Sequence, residues 1–194
     1  MEIRVGFFRG LNVGGKNKLS MTDLKQIFLD LDFADVQTQG NTGIILYCQK
    51  DSKNKLTDNQ IATEVFNQTA VATQYISMSF DELSFLMEHL PDWWNENTDW
   101  RHNVILLLEN YPSNNIMTNL PSLDSSIEKV AVVNNTILWS SAFSDRSLYY
   151  KSQYRQLIKH EAYPLMTIRN ANSLSKLYNQ ASLLYNEKKS SSTL

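Results

Sequence analysis

Residues 3–8 are apolar with little alternation, the pattern of a strand buried on both faces. Polar and glycine-rich positions follow over residues 10–18. From Met21 the period changes: Met21, Leu24, Ile27, Phe28 and Leu31 recur at helical spacing and form one apolar stripe. Ser20, with Asp23 three residues on, is a loose capping box, since Asp is shorter than the usual Glu. A helix is therefore predicted over 20–32. Residues 36–39 and 44–48 read as strands joined across the turn-rich 40–43 segment. Thr57 and Gln60 cap a helix that runs through Phe66, and 75–78 is a short strand. Ser79 and Glu82 cap a third helix with Leu83, Leu86, Met87 and Leu90 on one face.

The second half repeats this order. Residues 104–108 form an apolar strand and 114–120 a weak, short helix. Residues 129–133 and 136–140 make a hairpin across Asn134-Asn135, a pair that tolerates positive φ. A helix is predicted over 148–160, a strand over 165–168 and a terminal helix over 172–184. The polar, serine-rich stretch 186–194 is expected to fray. Each half thus reads β-α-β-β-α-β followed by a helix, a repeat of pattern with little shared sequence.

That pattern predicts an α+β protein of two tandem ferredoxin-like subdomains, each with an extra helix, spanning 1–98 and 99–194. Two such units leave two open sheet faces, to be buried against each other or against the extra helices. The expected seam is residues 90–102. Its three tryptophans, Trp93, Trp94 and Trp100, read either as packing between subdomains or as a stacking platform for bases or sugars.

Composition narrows the class. The chain has 194 residues, 42% hydrophobic and 20% charged, enough for a packed core. No apolar run reaches the ~18–20 residues of a membrane span, and residues 1–10 carry arginines within their apolar stretch, unlike a signal peptide. One cysteine, Cys48, excludes an internal disulfide and a cysteine-based zinc cluster. A cytoplasmic setting is expected. The net charge of -2 argues against a wholly basic nucleic-acid binder but conceals an asymmetry. Residues 1–25 hold five Lys and Arg against two acids, and 140–194 hold eight against three. If the fold joins the two ends, they form a basic face suited to an anion or a phosphate backbone. Otherwise they are ordinary solvated charges.

The loop Arg9-Gly10-Leu11-Asn12-Val13-Gly14-Gly15-Lys16-Asn17-Lys18 lies between a strand and a helix. Glycines let backbone N–H groups converge and lysines add charge, the recipe for an anion nest near a helix N-terminus. Gly10 to Lys16 satisfies G-x-x-x-x-G-K, but Asn17 stands where a phosphate loop needs Ser or Thr for magnesium, and the helix starts only at Ser20. The alternative is a tight strand-to-helix connection with solvated lysines. Arg169, at a strand end, reads as a bidentate grip on phosphate or carboxylate, or as a structural hydrogen-bonding group. Asn170 reads as a ligand or as a turn or cap residue.

Other chemistry finds little support. His89, His102 and His160 are isolated, and Cys48 lacks a neighbouring histidine. Asp81 and Glu82 sit at a helix N-terminus, where the dipole accounts for them. No cofactor is predicted.

Arg9 to Lys18 and Met21 resemble the opening motif R-G-[IL]-N-V-G-G-K-N-K, then Met, of the bacterial family called domain of unknown function 1697. The family's T-x-x-x-S-G-N stretch is matched by Thr38 and Gly43, with Thr42 for Ser and Ile44 for Asn. Its proline-tryptophan stretch corresponds to Pro91, Trp93 and Trp94. Its T-x-R-N-x-x-T corresponds to Thr167, Arg169 and Asn170 with Ser173 last; Ala171 stands where many members carry Trp. The resemblance implies two ferredoxin-like halves and no established activity.

The expected function is that of a binding protein for a phosphate-bearing anion: a nucleotide, phosphorylated metabolite or nucleic acid. The site residues are Arg9, Asn12, Gly14, Gly15, Lys16, Asn17, Lys18, Arg169 and Asn170. The alternatives are a protein-interaction module using the tryptophan segment, and an enzyme on a phosphorylated substrate with Asp23 or Glu109 as base or metal ligand.

Overall fold

The computed structural model describes residues 1–50 and 55–191. The chain divides into two compact units, Met1–Phe85 together with the chain from Lys176 onward, and Leu86–Ser175. Each has a four-stranded antiparallel sheet.

In the first unit the elements run β1 (Glu2–Arg9), α1 (Met21–Asp30), β2 (Ala34–Gln39), β3 (Ile44–Gln49), α2 (Asp58–Thr69), β4 (Gln74–Ser79) and α3 (from Phe80, ending at Glu88). The sheet order is β2-β3-β1-β4. The central strands explain the uninterrupted apolar runs: Val5, Phe7 and Phe8 of β1 and every residue of β3 are buried. Phe8, Val36, Ile45, Tyr47 and Tyr75 pack with Leu24, Ile27 and Phe28 of α1 and Ile61 and Val65 of α2. Phe28 is the hub, with ring centroids 5.1 Å from Tyr47 and 5.4 Å from Phe33. The caps form as the sequence requires. Ser20 Oγ accepts from Asp23 N at 3.0 Å, and Thr57 with Gln60 makes a reciprocal box.

The second unit contains β5 (Trp100–Leu107), α4 (Ser113–Met117), β6 (Glu128–Val133), β7 (Thr136–Ala142), α5 (Arg146–Lys151) and β8 (Met166–Asn170), with sheet order β6-β7-β5-β8. Ile105, Leu107, Ile116, Ile137, Trp139, Leu157 and Met166 form its core. Asn134 takes φ 52, as the hairpin requires.

Three expectations are corrected. The helix predicted over 148–160 ends at Lys151, and Gln153–Lys159 is a 3-10 segment. Ser152 adopts extended backbone, φ -64 and ψ 137, because the buried Glu128 carboxylate draws the chain aside. It accepts from Ser152 Oγ at 2.7 Å, Gln153 N at 3.0 Å and Tyr154 N at 3.4 Å. The helix over 114–120 shortens to α4, preceded by a 3-10 turn at Leu108–Asn110 in which Glu109 has φ 56. The stretch from Asn186 does not fray before Ser191: it belongs to α6 (Ala171–Ser191). Lys188 of that helix bonds Asp35 at 2.6 Å, and Phe80 stacks on Tyr185 at 4.8 Å. Residues 192–194 lie outside the described residues.

Candidate functional site

The Gly/Lys loop folds as a miniature hairpin between β1 and α1. Asn12 N donates to Asn17 O and Lys16 N to Val13 O, both at 3.1 Å. Gly14 and Gly15 occupy the turn centre at φ 59 and 77, a primed turn that side chains resist. The turn therefore accounts for both glycines.

Asn12 holds this hairpin to the body. Its Oδ1 accepts from Leu19 N at 2.9 Å, and its Nδ2 donates to Leu19 O at 2.7 Å and Asn41 O at 2.9 Å. Both amide hydrogens are engaged, so Asn12 shapes the site. Asn17 Nδ2 reaches Gly10 O at 3.4 Å, and Arg9 is half-buried, its carbonyl accepting from Thr73 Oγ1 at 2.8 Å.

A cleft of about 460 Å³ opens beside the hairpin, lined by Asn12, Gly15, Lys18, Leu19, Ser20, Met21 and Asn41. Met21 and Thr22 begin α1, where backbone N–H groups have no partner within the helix. Lys16 and Lys18 are exposed and pair with no carboxylate among the described residues. On the other side of Lys18 a second cleft, about 420 Å³, includes Asp23 and Asp30 and is less suited to an anion.

Arg169 and Asn170 lie in the second unit, at the end of β8. Arg169 is half-buried and donates from Nη1 to Ile168 O at 2.8 Å. Burial lowers its guanidinium to about 10, still charged at neutral pH. Asn170 Oδ1 accepts from Ser173 N at 2.8 Å, so it caps α6.

The tryptophan segment folds onto the second unit through His102. This residue is buried; Nδ1 faces Ser140 Oγ at 2.6 Å and accepts from Asn95 N at 3.3 Å. Nε2 must then carry the proton and donate to Asn97 O at 2.9 Å. Trp94 packs edge-on against the ring at 5.6 Å and neighbours Trp93 at 6.1 Å. His102 is thus a structural staple. Among the described residues no three His, Cys, Asp or Glu side chains group to hold a metal ion, and no helix is long and apolar enough to cross a membrane.

Sequence reasoning did not single out Glu128 or Arg101. Neither lies in a motif, and their partners come from distant chain segments.

The fold defines a mixed α+β protein of two antiparallel sheets with helices. The chain belongs to the protein family of unknown function DUF1697, whose model matches residues 1–138. It is similar to a solved structure, the conserved bacterial protein SP0830 from Streptococcus pneumoniae. That likeness has 26% identity and a TM-score of 0.76, and covers 93% of this chain and 98% of that one. No curated protein matches.

Proposed function

We propose that the cleft beside the Gly/Lys loop binds a phosphate-bearing anion, a nucleotide, phosphorylated metabolite or nucleic acid. The carrying observation is that Lys18 borders the cleft together with Ser20 and Met21 at the start of α1, with Lys16 two residues earlier in the chain. An anion there gains the Lys18 cation and the positive helix end, with Lys16 adding charge from the same loop. Gly14 and Gly15 give the hairpin its shape, Asn12 fixes it to Leu19, and Arg9, Gly10 and Asn17 complete the frame.

The same reading takes each half, 1–98 and 99–194, as a ferredoxin-like repeat; the two sheet orders support it. A cytoplasmic location is supported by the single, buried cysteine. Arg169 and Asn170 serve within their own unit, by the hydrogen bonds to Ile168 and Ser173.

The test is a thermal-shift screen against nucleotides, phosphorylated metabolites and short oligonucleotides. A ligand at ~100 times its Kd stabilises by about 2.7 kcal/mol, enough to raise Tm by several degrees. The shift should disappear in Lys16→Ala/Lys18→Ala. A flat screen, or a shift the double variant keeps, rejects the site.

A further inference from the structure

The second unit carries a surface that its core does not require. Arg101 of β5 lays its guanidinium 3.5 Å over the Phe143 ring. Phe143 meets Tyr149 edge-to-face at 5.5 Å, and Tyr149 neighbours Tyr150 at 6.0 Å. Arg155 completes the series, 4.3 Å over Tyr150 and 5.8 Å over Tyr149. The order is cation, three rings, cation. The two outer rings face solvent, Phe143 39% exposed and Tyr150 59%, and Tyr149 between them is half-buried.

Along the segment that carries these rings the charge is one-sided, while Asp99 meets it from outside through its backbone carbonyl, which accepts from Phe143 N at 3.3 Å and Ser144 N at 3.1 Å. Between residues 143 and 160 the chain has Arg146, Lys151, Arg155 and Lys159 against a single acid, Asp145. That carboxylate is occupied in capping α5, accepting from Ser147 N at 2.7 Å and Leu148 N at 3.3 Å. Among the described residues neither Arg101 nor Arg155 pairs with a carboxylate. Beside Arg101 and Phe143 a cleft of about 470 Å³ is edged by Trp100 and by three asparagines, Asn95, Asn170 and Asn172.

Exposed rings interleaved with guanidinium planes suit a partner that is both flat and anionic. A protein partner would fit the rings but leave the Arg101 and Arg155 guanidinium groups to desolvate. An acidic peptide would fit the cations but leave the rings unused. Single-stranded nucleic acid satisfies both, since its bases stack on aromatic and guanidinium planes while its phosphates meet the cations. A duplex keeps its base faces stacked within itself. We propose that the surface built on Arg101, Phe143, Tyr149, Tyr150 and Arg155 binds single-stranded nucleic acid. The cleft at Trp100 accepts a splayed base, with amides available for its hydrogen-bonding edge. This surface stands independently of the loop cleft in the first unit.

The experiment is fluorescence anisotropy of the full chain with a labelled mixed-sequence RNA strand of about 12 nucleotides, a length within the span such surfaces cover. The same sequence as a duplex and a glutamate-rich peptide are titrated alongside. The strand should bind at least about tenfold tighter than the duplex, with affinity falling as salt rises. Tyr150→Ala and Arg155→Ala should each weaken it about tenfold, and Arg155→Lys less, since charge survives while the stacking plane is lost. In the Lys16→Ala/Lys18→Ala background, which removes any contribution of the loop cleft, Tyr150→Ala should still weaken strand binding about tenfold. No strand binding, equal duplex or peptide binding, or loss only in the lysine double variant would each overturn the proposal. Should Arg155→Ala fail to fold, the exposed Tyr150 carries the test alone.

Discussion

Asn12 and Leu19 exchange two hydrogen bonds, side chain to backbone, across the base of the Gly/Lys hairpin: Leu19 N to Oδ1 at 2.9 Å and Nδ2 to Leu19 O at 2.7 Å. Asn12 itself sits at φ 56, a conformation Asn tolerates better than most residues. One side chain therefore sets the angle at which Lys16 and Lys18 are presented. Asn12→Ala should lose about 2 kcal/mol by urea denaturation, from the lost hydrogen bonds and the left-handed backbone. Asn12→Gly should lose less, because it removes the strain while losing the same bonds. Equal losses would mean that the backbone conformation contributes nothing.

Gly6 in β1 is required by a neighbour on β4. A Cβ at Gly6 would stand 2.0 Å from the Tyr75 hydroxyl and 2.4 Å from its ring. Tyr75 is buried, tilted against Phe8 at 4.5 Å and bonded to Tyr47 at 3.2 Å, so it has no free direction to move. Gly6→Ala should destabilise by at least about 2 kcal/mol, the cost of overpacking a closed core. Tyr75→Phe should not rescue it, because the ring carbons still collide. A rescue would locate the clash in the hydroxyl alone.

Glu128 offers a contrast in the second unit. It is 1% exposed and receives Trp139 Nε1 at 3.1 Å in addition to its three bonds from 152–154. Glu128→Ala should cost about 3 kcal/mol, because several buried donors lose their acceptor. Glu128→Gln keeps one oxygen and should cost about half as much. Near-UV circular dichroism of Trp139 would report the change; an unaltered spectrum and stability would refute the role.

Glu128 also marks what the sequence could and could not convey. Eight strands and the caps at Ser20, Thr57 and Ser79 were legible, because periodicity and capping act between residues close in the chain. The break at Ser152 was not, since its cause is a carboxylate 24 residues upstream. In the candidate site the lysines and the turn glycines were readable from composition. The fastening role of Asn12 was not, because its partners Leu19 and Asn41 meet only in the fold. The Arg101–Phe143 stack is hidden for the same reason, with Arg101 near the start of β5 and Phe143 just past the end of β7.

Asp35, Lys188 and Cys48 interact in the first unit. The hydrogen bond from Lys188 holds the Asp35 carboxyl below its ordinary 3.8, against the opposing effect of burial. The same bond raises Lys188 above its ordinary 10.5. A depressed carboxylate contributes stability that is complete above its unfolded value and is lost as pH falls through the folded one. A raised lysine contributes stability that is complete below its unfolded value and is lost as pH rises through the folded one. The pair therefore supports the fold across the neutral range and weakens at both ends. Tm should fall as pH drops below about 3.8, and Asp35→Asn, which suits the φ of 52 there, should flatten that limb. Cys48 gives an independent readout. Burial, reinforced by a hydrogen bond with Asp35, pushes its thiol up to about 11. Little thiolate exists near neutrality, and the sulfur is shielded, so a disulfide reagent should label the native protein only through opening of the structure. Asp35→Asn should speed labelling by loosening β2 from α6. Rapid labelling of the unmodified protein under native conditions would show that Cys48 is not enclosed, and an unchanged acid limb in Asp35→Asn would show that Lys188 does not secure the helix.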